Sequence, residues 1–99
     1  MNGPSLLKCI SDETMFEILE LLQKDKELCV NDFVVKLQKD QPLVSHHLKT
    51  LKKCGIVKSR DEGKKAMYAI SNNQLSELIA NVVKTSKKIL VLCSDDNCC

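Results

Sequence analysis

The 99-residue sequence is poor in aromatic residues, glycine and proline, and it has no long hydrophobic run. It contains no Trp, one Tyr and two Phe, so Leu, Ile, Val and Met must form most of the core. Three Gly and two Pro leave no linker, repeat or low-complexity segment. No stretch approaches the roughly 18 apolar residues of a membrane span. These absences predict one mostly helical domain over residues 1–99, with no membrane partner.

The net charge is also small, because acidic and basic residues are unevenly distributed and cancel to +2. Residues 1–35 hold three basic and seven acidic side chains, whereas residues 36–65 hold nine basic and three acidic ones. Residues 66–99 hold three of each. Basic residues concentrated in the middle third favour a nucleic acid as the partner.

The six cysteines predict different chemistry in different cellular compartments. Residues 1–5 lack the basic flank and following apolar run of a secretory signal. We therefore expect a cytoplasmic protein with free thiols. The sequence shows no base paired with a nucleophile, no glycine-rich phosphate loop and no paired carboxylates in one helical register, so neither an enzyme nor an organic cofactor is expected.

Apolar residues recur with helical spacing in four successive segments. A short first helix is predicted around residues 4–10, and a second begins with Ser11 as its N-cap and ends near residues 24–26. Two further helices form a helix-turn-helix over about residues 30–54, and Gly55 is placed to end the second of them.

The pattern changes after Gly55. Short apolar segments on either side of Gly63 predict a β-hairpin over about residues 56–70. Helical spacing returns over about residues 72–92 with a broad apolar stripe, which favours packing against a second subunit. The fold class is therefore mainly α with a small hairpin wing, a winged helix-turn-helix that dimerises through its terminal helices.

The fourth helix has two chemically different faces. The inward set is Val44, His47, Leu48 and Leu51, and the outward set is Ser45, His46, Lys49, Lys52 and Lys53. With Gln41, the Ser and His side chains near the helix start can reach base edges, and the lysines further along can meet phosphates. On the hairpin, Arg60, Lys64 and Lys65 are placed to reach the neighbouring minor groove or backbone.

The two adjacent histidines have different predicted roles. Neighbouring residues on a helix point about 100° apart, so His46 and His47 are poorly placed to bind one metal ion. We expect His46 to contact a base or phosphate, and His47 to be a hydrogen-bonded structural residue.

Several segments occur in the order and spacing typical of one regulator family. The most specific run is Gln41-Pro42-Leu43-Val44-Ser45-His46-His47-Leu48-Lys49, supported by Ser11-Asp12-Glu13-Thr14 and Gly55-Ile56-Val57. Over about residues 6–92 the chain resembles the ArsR/SmtB family. The resemblance implies a dimeric repressor that leaves double-stranded operator DNA when a metal, metalloid or thiol oxidant binds. It places Gln41, Ser45 and His46 at base-contacting positions, whereas Met15 departs from the Arg often found there.

Two effector sites of the family are poorly matched. Residues 72–92 contain no His and one carboxylate, Glu77, which disfavours a zinc-type site on the last helix. The Cys-Val-Cys motif of soft-metal sites is here Cys29-Val30-Asn31. Cys29 stands at a predicted N-cap, where a helix terminus favours a reactive thiolate and where a small buried apolar residue is an equally good interpretation.

The segment 93–99 contains the densest group of thiols. Cys93, Cys98 and Cys99 can form a trigonal sulfur site for As(III) or another soft ion. The resemblance also implies an alternative, in which Cys29 and Cys93 correspond to the pair that forms a disulfide or persulfide bridge in sulfide-responsive members. Cys9 and Cys54 are expected to be buried and inert.

Two other functional classes stay open from the sequence. A constitutive DNA-binding protein would hold its operator regardless of metals and oxidants. A thiol-rich metal buffer would bind metal and show no salt-dependent retention on duplex DNA.

Overall fold

The structure, a computed structural model, describes residues 2–92. Its helices and strands follow in the order α1 (Gly3–Ser11), α2 (Glu13–Asp25), β1 (Leu28–Cys29), α3 (Val30–Leu37), α4 (Gln41–Lys53), β2 (Val57–Glu62), β3 (Lys65–Ile70) and α5 (Asn73–Leu92). The predicted mainly helical fold with a hairpin wing is confirmed. No helix among these residues is long and apolar enough to cross a membrane.

The boundary between α1 and α2 lies one residue later than predicted. Ser11 is the last residue of α1, and its hydroxyl donates to the carbonyl oxygen of Lys8. Asp12 is the N-cap of α2, with extended backbone angles and a carboxylate that accepts from the backbone N–H of Met15. The prediction that Ser11 caps α2 is therefore wrong, because its hydroxyl is used by the preceding helix.

The helix-turn-helix consists of α3, a short turn and α4. Gln38 ends α3 in the left-handed conformation with φ 54°. Pro42 lies in the first turn of α4, where a missing N–H removes no helical hydrogen bond. Gly55 has φ 81°, so a glycine is needed where the chain leaves α4 and enters β2.

The three strands form one antiparallel sheet in the order β1-β3-β2. Strands β2 and β3 form the predicted hairpin, and Gly63 adopts φ 63° in its turn. The pairing of β1 with β3, which places Leu28 opposite Tyr68 and Cys29 opposite Met67, was not predicted. It anchors the wing to the residues that precede the helix-turn-helix.

The core lies between α2, α3, α4, α5 and the sheet, where the apolar faces of these elements meet. Its fully buried side chains include Ile18, Leu19, Phe33, Val44, Leu48, Leu51 and Ile79. Helix α5 begins at an N-cap in which Asn72 accepts from the backbone N–H of Leu75 at 2.8 Å. Further along α5, Ile89 is 52% exposed, so part of the predicted stripe faces outward in the single chain.

Candidate nucleic-acid interface

The inner face of α4 fixes this helix to the domain. Val44, Leu48 and Leu51 recur at helical spacing and are completely buried. Burial of a Leu side chain contributes about 1.5–3 kcal/mol, so these contacts hold the helix rigidly against the core. A rigid helix presents its remaining side chains at fixed positions.

The outer face of α4 is polar and basic, as predicted. Gln41, His46, Lys49, Lys52 and Lys53 are exposed, and Ser45 is half-buried. Hydrogen-bonding groups occupy the first half of this face and lysines the second. All six predicted helix residues are therefore at least partly exposed on one helix.

His47 differs from its prediction. It is half-buried, but its ring Nδ1 is buried without a hydrogen-bond partner among the described residues. The prediction that His47 is hydrogen-bonded is therefore wrong for Nδ1. Its neighbours one turn away on the inner side, Val44 and Leu51, are apolar, and the nearby Thr50 hydroxyl donates to the His46 carbonyl oxygen at 3.0 Å.

The wing carries the remaining predicted cations in two different settings. Lys64 and Lys65 are exposed at the end of the hairpin. Arg60 instead forms ion pairs with two carboxylates: Nε and Nη2 donate to Glu27 at 2.7 and 2.9 Å, and Nη2 donates to Glu62 at 3.1 Å. In the single chain, the Nε and Nη2 donors of Arg60 are therefore turned toward carboxylates.

The Arg60–Glu27 pair joins β2 to the residue just before β1. The hydrogen bond from Arg60 lowers the pKa of Glu27, and the same contact raises the pKa of Arg60. This pair was not predictable from the sequence, because its members are 33 residues apart and no local pattern connects them. The unpredicted β1 strand is what brings Glu27 beside the wing.

Cys29 is the N-cap of α3, as predicted, and it is 7% exposed. Its backbone N–H donates to Asp32 Oδ2 at 3.1 Å, and its Sγ donates to the same oxygen at 3.3 Å. These two hydrogen bonds, the backbone one first, lower the pKa of Asp32. The Asp32 carboxylate, at the third position of α3, thus accepts the backbone N–H of the N-cap residue. This hydrogen bond compensates for the weak capping that a thiol provides.

The other cysteines fall into two groups. Cys93, Cys98 and Cys99 lie outside the described residues, and so does one half of the Cys29–Cys93 alternative. Cys9 is half-buried, whereas Cys54 is exposed, so the prediction that Cys54 is buried is wrong. The reason is that α4 ends at Lys53, and Cys54 belongs to the turn that leads to Gly55.

Within residues 2–92, no group of three or more His, Cys, Asp or Glu side chains is placed to hold a metal ion. The start of α3 offers one sulfur and one carboxylate, Cys29 and Asp32. Soft metals and metalloids prefer several thiolates. The described residues of a single chain therefore do not fit a complete soft-metal site.

Comparisons with known proteins agree with this geometry. A family model described as bacterial regulatory protein, arsR family, matches residues 12–59. An HTH-type transcriptional regulator of Methanocaldococcus jannaschii is 42% identical over 78 residues, which cover 79% of this chain and 88% of that protein. The arsenical resistance operon repressor of Staphylococcus aureus is 36% identical over 86 residues, covering 85% and 82%.

A solved structure shows the same architecture. The homodimeric winged helix-turn-helix DNA-binding domain of a possible ArsR-family regulator from Mycobacterium bovis superposes with a TM-score of 0.78 at 25% identity. The match covers 89% of this chain and 81% of that one.

Proposed function

The chain belongs to the arsR family of bacterial regulatory proteins and is a DNA-binding transcriptional regulator, not an enzyme. From this premise we propose that it is a homodimeric repressor that a soft metal or metalloid releases from its operator DNA. The observation that carries the DNA-binding part of this proposal is the two-faced α4. Its inner face is completely buried at Val44, Leu48 and Leu51, and its outer face offers hydrogen-bonding groups and lysines.

The two halves of the outer face have separate roles in the proposal. Gln41, Ser45 and His46, near the helix start, read base edges in the major groove. Lys49, Lys52 and Lys53 neutralise phosphates and release counterions. Affinity therefore depends on salt through the lysines, and sequence preference depends on the first turn and a half of α4.

The wing adds a second set of backbone contacts. Lys64 and Lys65 are exposed at the end of the hairpin, which supports a contact with the adjacent groove or phosphates. Arg60 can contribute less than the lysines, because Glu27 and Glu62 already take the N–H groups on Nε and Nη2 and offset its charge.

Dimerisation places two copies of α4 about one DNA turn apart, roughly 34 Å, so that both enter successive major grooves. The apolar side chains left exposed on the terminal helices support this arrangement. Leu7 on α1 and Leu78 and Ile89 on α5 are all exposed in the single chain. The relative from Mycobacterium bovis is a homodimeric domain.

The proposed effector site is the thiol group Cys93, Cys98 and Cys99. Three thiols within seven residues supply the sulfur-rich donor set that As(III) and other soft ions prefer. A relative named as an arsenical resistance operon repressor supports the same class of effector. Weakening DNA binding a hundredfold requires the effector to favour the DNA-incompetent state by about 2.7 kcal/mol.

The test begins with a fluorescent duplex that the protein itself selects from a randomised pool. Anisotropy is followed while arsenite, cadmium, zinc, copper(I) or a persulfide donor is added in parallel. We expect arsenite to release the wild-type protein and to leave the Cys93→Ser, Cys98→Ser, Cys99→Ser variant bound. Cys29→Ser is the matched control and should respond like the wild type.

The other outcomes separate the alternatives. Arsenite release that persists in the variant without tail thiols contradicts the proposed site. Release by the persulfide donor alone, abolished by Cys29→Ser, supports the Cys29–Cys93 dithiol switch instead. Binding that no compound changes identifies a constitutive DNA-binding protein, and absence of salt-dependent binding to any duplex contradicts the DNA-binding function itself.

A further inference from the structure

An open cavity lies where α1, the end of α4 and the start of α5 meet. Leu6 lines it from α1, Cys54 and Gly55 from the end of α4, and Leu75 and Leu78 from α5. Cys54 therefore shares this cavity with Leu6 of α1, although it follows Cys9 by 45 positions in the sequence.

Cys9 lies on the same face of α1 as Leu6, because residues three positions apart on a helix are neighbours. It packs against the buried core, as Leu6 does. The Cys54 side chain lies close enough to Cys9 to interact with its thiol, and both thiols are free. The sequence alone gives no sign of this proximity, because no local pattern connects positions 9 and 54.

The two thiols differ in access. Cys54 is exposed in the turn after α4, whereas Cys9 is half-buried. Burial raises the pKa of the Cys9 thiol, and the neighbouring Cys54 raises it further. An oxidant from solution therefore meets Cys54 first, and Cys9 is held ready as the second thiol.

We propose that Cys9 and Cys54 form a reversible disulfide that links α1 to the end of the helix bearing the DNA-reading side chains. The oxidant is a small disulfide such as oxidised glutathione. Cys54 loses its proton to solvent, and its thiolate attacks one sulfur of the oxidant. The S–S bond of the oxidant breaks, the attacked half forms a mixed disulfide with Cys54, and the other half leaves as a thiolate. Cys9 then loses its proton, attacks the Cys54 sulfur and displaces the second thiolate.

The exchange is balanced in atoms and electrons. The protein loses two protons and two electrons, and the small disulfide is reduced to two thiols. The bridge uses neither Cys29 nor the thiols of residues 93–99, so it is independent of the proposed effector site. A reductant such as dithiothreitol reverses it.

The test isolates this pair in the full-length chain. In a variant carrying Cys29→Ser, Cys93→Ser, Cys98→Ser and Cys99→Ser, Cys9 and Cys54 are the remaining cysteines. The folded variant, verified by circular dichroism, is incubated with oxidised glutathione, alkylated and digested with trypsin. We expect a linked product of peptides 9–24 and 54–58, lighter by two hydrogen atoms than the sum of the two and separated by dithiothreitol.

Contact in the folded state should also appear in the rate. Bridge formation should be at least about tenfold faster in buffer than in urea, since folding raises the effective concentration of one thiol near the other. Adding Cys54→Ser should leave Cys9 largely unmodified by glutathione. Failure to find the linked peptide, or equal rates in buffer and urea, overturns the proposal. The same peptide map of oxidised wild-type protein provides the answer if the variant does not fold.

Discussion

Replacement of Lys49 by Gln tests whether the basic half of α4 meets phosphates. Lys49 is exposed on the outer face of α4, so its substitution removes a charge without disturbing the buried side. Besides Arg60, which is held by Glu27 and Glu62, each protomer offers five candidate cations. They are Lys49, Lys52, Lys53, Lys64 and Lys65.

The size of the effect follows from counterion release. Ten phosphate contacts per dimer predict a slope of about −9 for the logarithm of the association constant against the logarithm of salt concentration. Lys49→Gln removes two contacts per dimer and should make the slope less steep by about 1.8. The loss of these two contacts lowers the DNA affinity of Lys49→Gln by about 60-fold at 0.1 M salt and by almost nothing at 1 M.

Fluorescence anisotropy at several salt concentrations measures both quantities. Lys84→Gln, which removes an exposed charge from α5, is the matched control and should leave the slope unchanged. The reasoning is refuted if Lys49→Gln keeps the wild-type slope, or if Lys84→Gln reduces the slope by the same amount.

Three further predictions concern the framework that holds the site. Leu48→Ala, at a completely buried position of α4, should lower the free energy of unfolding by about 2–5 kcal/mol in urea titrations, whereas Val35→Ala at an exposed position of α3 should change it little; equal losses would contradict the assigned packing. Gly55→Ala should lower the free energy of unfolding by about 1–2 kcal/mol in the same assay, because φ is 81°. Nothing lies within 4 Å of the added Cβ, so the loss reflects backbone strain and not a clash, and an unchanged stability would contradict this backbone conformation. Asp32 has a lowered pKa in the folded state, so its stabilising contribution is present above the unfolded-state pKa and is lost as the pH falls through the folded-state pKa. Urea midpoints between pH 7 and pH 3 should therefore fall less steeply for Asp32→Asn than for the wild type, and parallel curves would contradict the cap.

Local periodicity was sufficient to predict the element that carries the site. The 3.6-residue spacing separates Val44, Leu48 and Leu51 from His46 and Lys49, and the structure places the two groups on opposite sides of α4. Such a pattern depends on neighbours three or four positions apart, which the sequence displays directly.

Features that depend on distant residues were not predictable in this way. The two-residue β1 strand is too short to show alternation, and without it nothing indicates that Glu27 meets Arg60. The proximity of Cys9 and Cys54 likewise depends on the fold, which brings α1 and the turn after α4 to one cavity. The exposure of Cys54 depends on the exact residue at which α4 ends. Sequence patterns locate a helix end only to within a few residues, which is too imprecise to place Cys54 in the turn.

The central claim is that the start of α4 reads DNA sequence. The most direct measurement compares the affinity of wild-type protein and Gln41→Ala for the selected duplex and for a scrambled duplex of equal length. Gln74→Ala, which truncates an exposed amide on α5, is the control. The account predicts that Gln41→Ala lowers the preference for the selected duplex by about tenfold or more while binding to the scrambled duplex stays the same. An unchanged preference would contradict it.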